Sequence, residues 1–213
     1  MKKKLFVILI LGAVAVFVSC NLFGGGKEDY YPTTVGSKWD YSGYVLRSTA
    51  TDATPDTIEK INVTVRATKR DKLNTGEDVT EMVSTMDVHI YYPMDTTYTG
   101  VDTSYIRETE NAVLEYGSKS EIEPDTILAL PLTKDKTWSN DSYKVIDQEN
   151  VTVPAGTYKK AWKIEHTTTE GGETYKEYYW FANNIGLAKV FWQQSYGTDL
   201  ITFTIELVSA SIK

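Results

Sequence analysis

Two histidines and one cysteine are the side chains of this 213-residue chain most able to act as nucleophiles, bases or metal ligands. His89 falls on the polar face of its predicted strand, where we expect it to be exposed to solvent. His166 falls on the same strand face as two apolar residues and is predicted to have a structural role. Two isolated histidines without a second cysteine make a poor zinc site. The sequence contains no Gly-x-Ser-x-Gly, phosphate-binding glycine loop or His-Glu-x-x-His, so a hydrolytic triad would lack local support.

Carboxylates are numerous but scattered along the chain. Asp95, Asp102 and Asp125 are predicted to lie in loops, and calcium takes about six to eight oxygen ligands of this kind. None of the three follows a recognised calcium-loop spacing, which favours a solvated acidic surface. A pair of carboxylates could also support glycoside hydrolysis, but nothing in the sequence selects the pair. We therefore expect neither a metal nor a cofactor.

Tryptophan and tyrosine are the most informative candidates for binding. Trp162, Trp180 and Trp192 lie on three consecutive predicted strands, and Tyr178 and Tyr196 lie on two of them. Neighbouring antiparallel strands could bring these rings together on one concave face. Such a face serves either as hydrophobic core or as the lining of an apolar or sugar-binding cleft. Both alternatives remain open at this point.

The N-terminus resembles a targeting signal. Met1–Lys4 is positively charged, an apolar stretch follows, and a small residue precedes Cys20, the single cysteine. This pattern resembles the signal peptide of a bacterial lipoprotein, which is cut before the cysteine that then receives acyl chains, palmitate among them. The apolar stretch is shorter than the roughly 20 residues that a membrane-spanning helix needs. We expect a signal peptide over 1–19, a lipidated flexible tether over 20–29 and a single β-rich domain over 30–213.

Acyl chains on Cys20 would hold the protein at a membrane, since each buried methylene contributes about 0.8 kcal/mol. Asn21 stands where an aspartate would resemble an inner-membrane retention signal, so the outer membrane is favoured over the inner one. Removal of the signal takes away three lysines, so 19 basic residues would face 29 acidic ones, a net charge of −10 instead of −7. Such a charge argues against nucleic acid as a partner, because that binding depends on neutralising phosphates.

The body of the chain alternates with period two. Short runs rich in Tyr, Trp, Thr, Val and Ile are separated by Gly, Asp, Asn and Pro. This pattern predicts an all-β domain, a single curled antiparallel sheet or half-open barrel with meander topology. The segment Asp95–Thr103 is predicted to be a loop or a hairpin end. The clearest predicted strands are Ile61–Ala67, Met86–Tyr92, Tyr143–Val153, Thr157–Thr168, Glu173–Ala182, Leu187–Tyr196 and Ile201–Leu207.

Two of these predicted strands are apolar on both faces. In Glu173–Ala182, Tyr179 and Phe181 alternate with Tyr178 and Trp180. A strand that is apolar on both faces is covered on both. Material packed inside a curled sheet, a second sheet, or an exposed aromatic surface that meets a ligand would each explain the pattern.

Four short segments carry a family resemblance. They are Tyr31–Tyr41 with its proline turn, Leu130–Leu132 followed by Trp138, Val151–Ile164 with its Pro-Ala-Gly turn, and Tyr179–Val190. Together they resemble the uncharacterised β-rich envelope proteins similar to the DUF3108 group, which is loosely like the lipoprotein-carrier folds. The resemblance implies a half-open barrel of antiparallel strands and implies no particular activity.

The residues and the resemblance together favour a non-enzymatic lipoprotein of the bacterial cell envelope. The expected partners are the membrane, through the lipid anchor, and either an apolar ligand on the concave aromatic face or an envelope protein. The alternative role is an assembly or interaction factor that acts through protein contacts, for example by strand addition at an open sheet edge. An enzyme acting on envelope glycans is a third hypothesis.

Overall fold

The structure is a computed structural model that describes residues 28–49, 54–170 and 173–213. The predicted signal peptide over 1–19, the expected lipid attachment at Cys20 and most of the predicted tether lie outside the described residues. The division of the chain into signal, tether and domain therefore stays a prediction.

Across these residues the chain forms twelve β-strands and no helix, as the period-two alternation predicts. None of the segments that the structure describes is a helix long and apolar enough to cross a membrane. The strands are β1 (Lys38–Thr49), β2 (Asp56–Lys72), β3 (Asp78–Ile90), β4 (Thr96–Glu108), β5 (Ala112–Tyr116), β6 (Asp125–Ala129), β7 (Thr137–Trp138), β8 (Tyr143–Val153), β9 (Gly156–Glu170), β10 (Glu173–Ala182), β11 (Gly186–Tyr196) and β12 (Asp199–Ser211).

One antiparallel sheet contains all of these strands. Its order follows the sequence from β6 back to β1, and then from β12 back to β7. The ladder between β1 and β12 joins the two halves, with Lys38 opposite Ser211 and Thr49 opposite Asp199. The sheet curls into a nearly closed barrel, and its edge strands β6 and β7 approach each other without a ladder in the described chain; we call this gap the seam. The predicted all-β class, curled sheet and meander order are confirmed.

The core lies on the concave side of the sheet. In β2, Ile61, Val63 and Val65 are buried while the residues between them are partly or fully exposed, which is the predicted alternation. Trp39 of β1 is fully buried opposite Val65, and its Nε1 donates a hydrogen bond to the carbonyl oxygen of Ile185 at 2.8 Å. Burial of each such aliphatic side chain contributes roughly 1.5–3 kcal/mol, and a slip of one residue would expose them all. This shared face therefore fixes the strand register.

The loop alternative for Asp95–Thr103 is wrong. All but its first residue belongs to β4, which pairs with β3 from Thr96 opposite Ile90 onward. The first half of β4 is exposed at almost every position, so no apolar alternation marks the strand in the sequence. Threonine and tyrosine still favour extended backbone, and the ladder with β3 satisfies their backbone hydrogen-bonding groups.

The chain is already packed before β1 begins. Tyr30 and Tyr31 are buried in the core, and the backbone nitrogen of Asp29 donates a hydrogen bond to Oδ1 of Asn183 in the β10–β11 turn at 2.7 Å. The same turn returns a hydrogen bond from the backbone nitrogen of Asn184 to the carbonyl oxygen of Asp29. These contacts hold the start of the described chain against the barrel.

Candidate functional site

The predicted aromatic residues are divided between the two faces of the sheet. Trp192 stands opposite Phe203, whose ring it stacks at 5.7 Å between centroids, and Trp162 stands opposite the buried Phe181. Tyr196 shares the alternation of Trp192. Trp162, Trp192 and Tyr196 therefore lie on the concave side, where each is partly buried against the core.

Trp180 and Tyr178 lie on the convex side. Trp180 stands opposite Lys163 on one neighbour and Lys189 on the other. The Lys163 ammonium lies 4.9 Å from the ring centroids of both Trp180 and Tyr178, and Nε1 of Trp180 donates to Oε1 of Glu149 at 2.6 Å. Trp180 is only 7% exposed although it is on the convex side, because lysine side chains cover an aromatic ring well. The structure thus brings these two residues together but separates them from the other three.

The two histidines occupy different environments. His89 is on the convex face, with its Nε2 near Oδ1 of Asp95 and its ring stacked on Tyr91 at 4.2 Å, and its side chain is 41% exposed as expected for a polar face. His166 faces the concave side, where Nδ1 lies 3.2 Å from Oε2 of Glu177. The predicted structural role of His166 agrees with this contact.

A row of polar and aromatic side chains crosses β8, β9 and β10 beside the seam. Tyr143 stands opposite His166 and stacks on its ring at 4.2 Å, and Glu177 stands on the other side of His166. Oη of Tyr179 donates a hydrogen bond to Oε2 of Glu177 at 2.6 Å. Burial raises the pKa of Glu177, but the hydrogen bonds from His166 and Tyr179 outweigh it and hold this pKa below its ordinary value.

Trp138 bridges the seam. Its ring stacks on Tyr143 with centroids 5.2 Å apart and planes 6° apart, which continues the aromatic stack that ends at His166. Its Nε1 donates a hydrogen bond to the carbonyl oxygen of Thr126 at 2.9 Å, and Thr126 belongs to β6. A side chain of the short strand β7 therefore supplies a contact that a backbone ladder would otherwise make.

Glu115 of β5 lies on the other side of the seam. It reaches the concave face because it shares the alternation of the buried Val113, and Ile106 and Asp125 stand opposite it in the two flanking ladders. Glu115 is 9% exposed, and among the residues described its Oε1 is buried with no hydrogen-bond partner. Leaving a buried acceptor unpaired costs about 1–3 kcal/mol, so this arrangement calls for a reason other than stability.

The carboxyl of Glu115 lies beneath an acidic rim. Its pKa is raised from 4.5 to about 7, mainly by burial and to a smaller extent by the negative charges of Asp125, Asp102 and Glu121, while the Ser104 hydroxyl opposes part of the rise. Asp102 and Asp125 are exposed, and Asp125 stands directly opposite Glu115 in the β5–β6 ladder.

Tyr143 connects the two sides electrostatically. Its pKa is raised to about 12, first by burial and then by the charges of Glu177, Asp125 and Glu115. The phenol lies between β10 and the edge strand β6, because its ring stacks on His166, which stands opposite Glu177, and on Trp138, which is bonded to Thr126. We call Trp138, Tyr143, His166, Glu177 and Glu115 the seam cluster. It combines carboxylate acceptors, a phenol and the indole ring of Trp138 on the concave side of the sheet.

The three aspartates considered as calcium ligands lie at two different places in the structure. Within the three described ranges, no group of three or more histidine, cysteine, aspartate or glutamate residues is placed to hold a metal ion. Asp95 lies beside His89 on the convex face, whereas Asp102 and Asp125 lie near Glu115. The three aspartates considered as calcium ligands are thus not collected at one place.

Sequence reasoning missed Glu115, Tyr143 and Glu177 as members of one site. A signal for Glu177 exists, because it interrupts the apolar alternation of Tyr179 and Phe181 on one face of β10. Glu115 likewise follows Val113 on the buried face of a short strand. A carboxylate at an apolar position of a strand marks a buried acid, but the pattern does not say which other strand it meets.

The comparisons with known proteins give distant likenesses. No protein-family model matches the chain, and no curated protein matches it. Among solved structures, the chain is similar to a protein provisionally described as a lipoprotein from Parabacteroides distasonis, with 16% identity, a TM-score of 0.47, and coverage of 88% of this chain and 100% of that one. It is also similar to a protein provisionally described as exported, with a YmcC-like fold, from Bacteroides fragilis, with 13% identity, a TM-score of 0.41, and coverage of 84% and 97%. The resemblance to the DUF3108 group stays a prediction.

Proposed function

We propose that this chain is a non-catalytic binding protein of the bacterial cell envelope, tethered by acyl chains on Cys20, that holds a small ligand on the concave side of its barrel at the seam cluster. The observation that carries the proposal is the convergence of aromatic rings and buried carboxylates where the sheet lacks a closing ladder. Binding sites typically combine apolar and aromatic walls with a few oriented polar groups, which is the composition of this cluster.

The contacts of His166, the histidine on the concave side, favour binding over catalysis. Nδ1 of His166 lies 3.2 Å from Glu177 and Nε2 lies 3.4 Å from Oγ1 of Thr168, while Tyr143 covers one face of the ring. A general base needs a ring nitrogen within reach of the substrate proton. With both nitrogens engaged, His166 orients its neighbours instead.

The ligand is tested by native mass spectrometry on the full chain purified from its own host without denaturant. A bound species of a few hundred daltons that dissociates on activation is the expected result, and its mass would identify the ligand class. Trp138→Phe should weaken retention, because it removes the bridge to Thr126, whereas the convex-side variant Trp180→Phe is the matched control. Recovery of the bare chain under mild conditions would refute a bound ligand.

The location is tested separately from the ligand. The N-terminal pattern supports acylation of Cys20 and, with Asn21 after it, residence in the outer membrane. Cys20→Ser should abolish incorporation of labelled palmitate and change the fraction in which the protein is recovered. Unchanged labelling in this variant would contradict the anchor and would leave the binding proposal untouched.

A second candidate function, protein contact in envelope assembly, is favoured by one other observation. Several large apolar side chains near the β3–β4 hairpin are exposed, from 42% for Tyr44 to 71% for Met94. A groove of about 390 Å³ lies beside them between Tyr44 and Tyr91. Cross-linking in cells from a photoreactive residue at Met94 would recover a specific envelope protein if this role is correct. The same residue placed at Thr152, on the exposed side of β8, is the control.

A further inference from the structure

Two exposed acids that are not members of the seam cluster, Asp102 and Asp125, add negative charge beside Glu115. Three carboxylates, Asp102, Glu115 and Asp125, lie on the concave side of β4, β5 and β6 by their register. Asp125 stands directly opposite Glu115, and Asp102 lies on the same face of β4 as Ile106, the other residue opposite Glu115, so the negative charges lie on one part of the concave surface. A site with this charge favours a positive ligand.

The basic residues near this part of the sheet are engaged elsewhere. Lys119 pairs with Asp71 at 2.6 Å, and Arg107 pairs with Glu77 at 3.5 Å. Neither of these cations is bonded to Glu115, whose Oε1 lacks a partner in the described part of the chain. The acid is thus positioned as a counter-ion whose cation is not supplied by these neighbours.

We propose that the seam cluster binds the ammonium group of a small organic cation, with Glu115 as its counter-ion and the indole ring of Trp138 against its alkyl groups. This proposal rests on the proposed function, because it names the ligand class of the same site. Ionised carboxylates accept hydrogen bonds and positive charge but donate none, which selects a cation. Aromatic faces attract alkylammonium groups and are used for that purpose in many binding sites.

An organic cation fits this site better than a bare metal ion. A divalent ion requires several oxygen ligands at fixed short distances, and no such group exists among the residues that the structure describes. The indole ring of Trp138, which stacks on Tyr143 with one face, provides an apolar surface that a metal ion does not use but an alkylammonium does. Asp125, which stands opposite Glu115 in the β5–β6 ladder, is exposed to solvent, so the acidic side of the site reaches the protein surface.

Binding should be linked to the release of a proton. The pKa of Glu115 is about 7, so below that pH the carboxyl is protonated and cannot pair with the cation. The groups facing Glu115 from neighbouring elements are Asp102 and Ser104 on β4, Asp125 on β6, Glu121 in the loop between β5 and β6, and Tyr143 on β8. Glu177 on β10 and His166 on β9 lie beyond the phenol. Loss of the proton from Glu115 supplies the negative charge that pairs with the cation. The association constant for a permanent cation should therefore rise about tenfold from pH 6 to pH 8.

The test uses a matched pair of probes. Choline carries a permanent positive charge, and 3,3-dimethyl-1-butanol has the same shape without the charge. Isothermal titration calorimetry of the full chain in a non-ionic detergent should detect choline and not the alcohol, with affinity rising between pH 6 and pH 8. Glu115→Gln should weaken choline binding at pH 8 at least tenfold and remove its dependence on pH. Glu123→Gln, which removes one charge from the exposed loop between β5 and β6, should bind choline with the same affinity as the unchanged protein.

Three results would overturn the inference: no choline binding, equal binding of the two probes, or unchanged choline binding by Glu115→Gln. None of them decides the proposed function, which depends on the native mass spectrum. A neutral or anionic molecule that copurifies with the chain would overturn the cation and keep the binding role. A bare chain together with no response to choline would overturn both.

Discussion

Glu115→Gln is expected to make the protein more stable at pH 8, although it replaces a charged side chain in a folded sheet. The carboxyl is 9% exposed, one oxygen lacks a partner among the described residues, and its pKa is raised from 4.5 to about 7. Each pH unit between those two values is worth about 1.4 kcal/mol. The whole rise therefore corresponds to about 3 kcal/mol of lost stability once the group is ionised in the folded chain.

The direction of the stability change follows from whether the folded or the unfolded chain holds the Glu115 proton. Between about pH 4.5 and pH 7 the folded chain keeps the Glu115 proton that the unfolded chain has released. The contribution of this group to the free energy of unfolding is therefore complete below pH 4.5 and is lost as the pH rises to 7. Glutamine resembles the neutral acid in shape and cannot ionise. The variant should match the original protein near pH 4.5 and exceed its free energy of unfolding by about 3 kcal/mol at pH 8.

Urea denaturation of both proteins at four pH values from 4.5 to 8 measures the difference directly. Other acids titrate in the same range, but they contribute equally to both proteins and cancel in the difference. Glu123→Gln, which replaces an exposed glutamate in the loop between β5 and β6, should give the same free energy of unfolding as the original protein at every pH. Parallel curves for Glu115→Gln and the original protein would show that Glu115 is already ionised or solvated, and would refute the argument.

Three further substitutions test the packing. Gly43→Ala places a methyl carbon 2.1 Å from the carbonyl oxygen of Thr204, so it should destabilise the β1–β12 ladder by about 3 kcal/mol or more in urea denaturation. Trp39→Ala empties a fully buried position and should cost about 3–5 kcal/mol by the same measurement. Lys163→Met keeps the covering stem but removes the charge 4.9 Å from the ring of Trp180, and should cost about 1 kcal/mol and alter tryptophan emission. A stability of Lys163→Met equal to the original would show that the stem alone matters.

The fold was predictable wherever one face of a strand is buried. Ile61–Ala67 alternates in the sequence and lies in β2 with the apolar residues inside, because the sheet has a single core on its concave side. The first half of β4 has no buried face, so its extended conformation depends on the ladder with β3, which the sequence does not display. Prediction failed where a neighbouring strand, and not the side chains, determines the conformation.

The candidate site was not predictable for a different reason. Glu115 and Tyr143 lie on β5 and β8, which are near opposite ends of the strand order, and they approach each other only because the sheet curls until its edges meet. Meander topology can be derived from short turns, but the curvature and stagger that bring β6 beside β7 depend on the whole sheet. Alternation shows that Glu115 and Glu177 face inward without showing what they face.

The aromatic residues on both faces of β10 have separate explanations, and this separation changes where a ligand should be sought. On the convex side, Trp180 is covered by Lys163 and Lys189, so its burial needs no ligand. On the concave side, Phe181 is part of the core and is 2% exposed. Neither face of this strand is therefore available to a ligand near Trp180. At the seam, by contrast, Glu115 has a buried carboxylate oxygen without a partner among the described residues, and aromatic rings are stacked around Tyr143. A search for bound molecules should therefore begin with the carboxylates at the seam and not with Trp180.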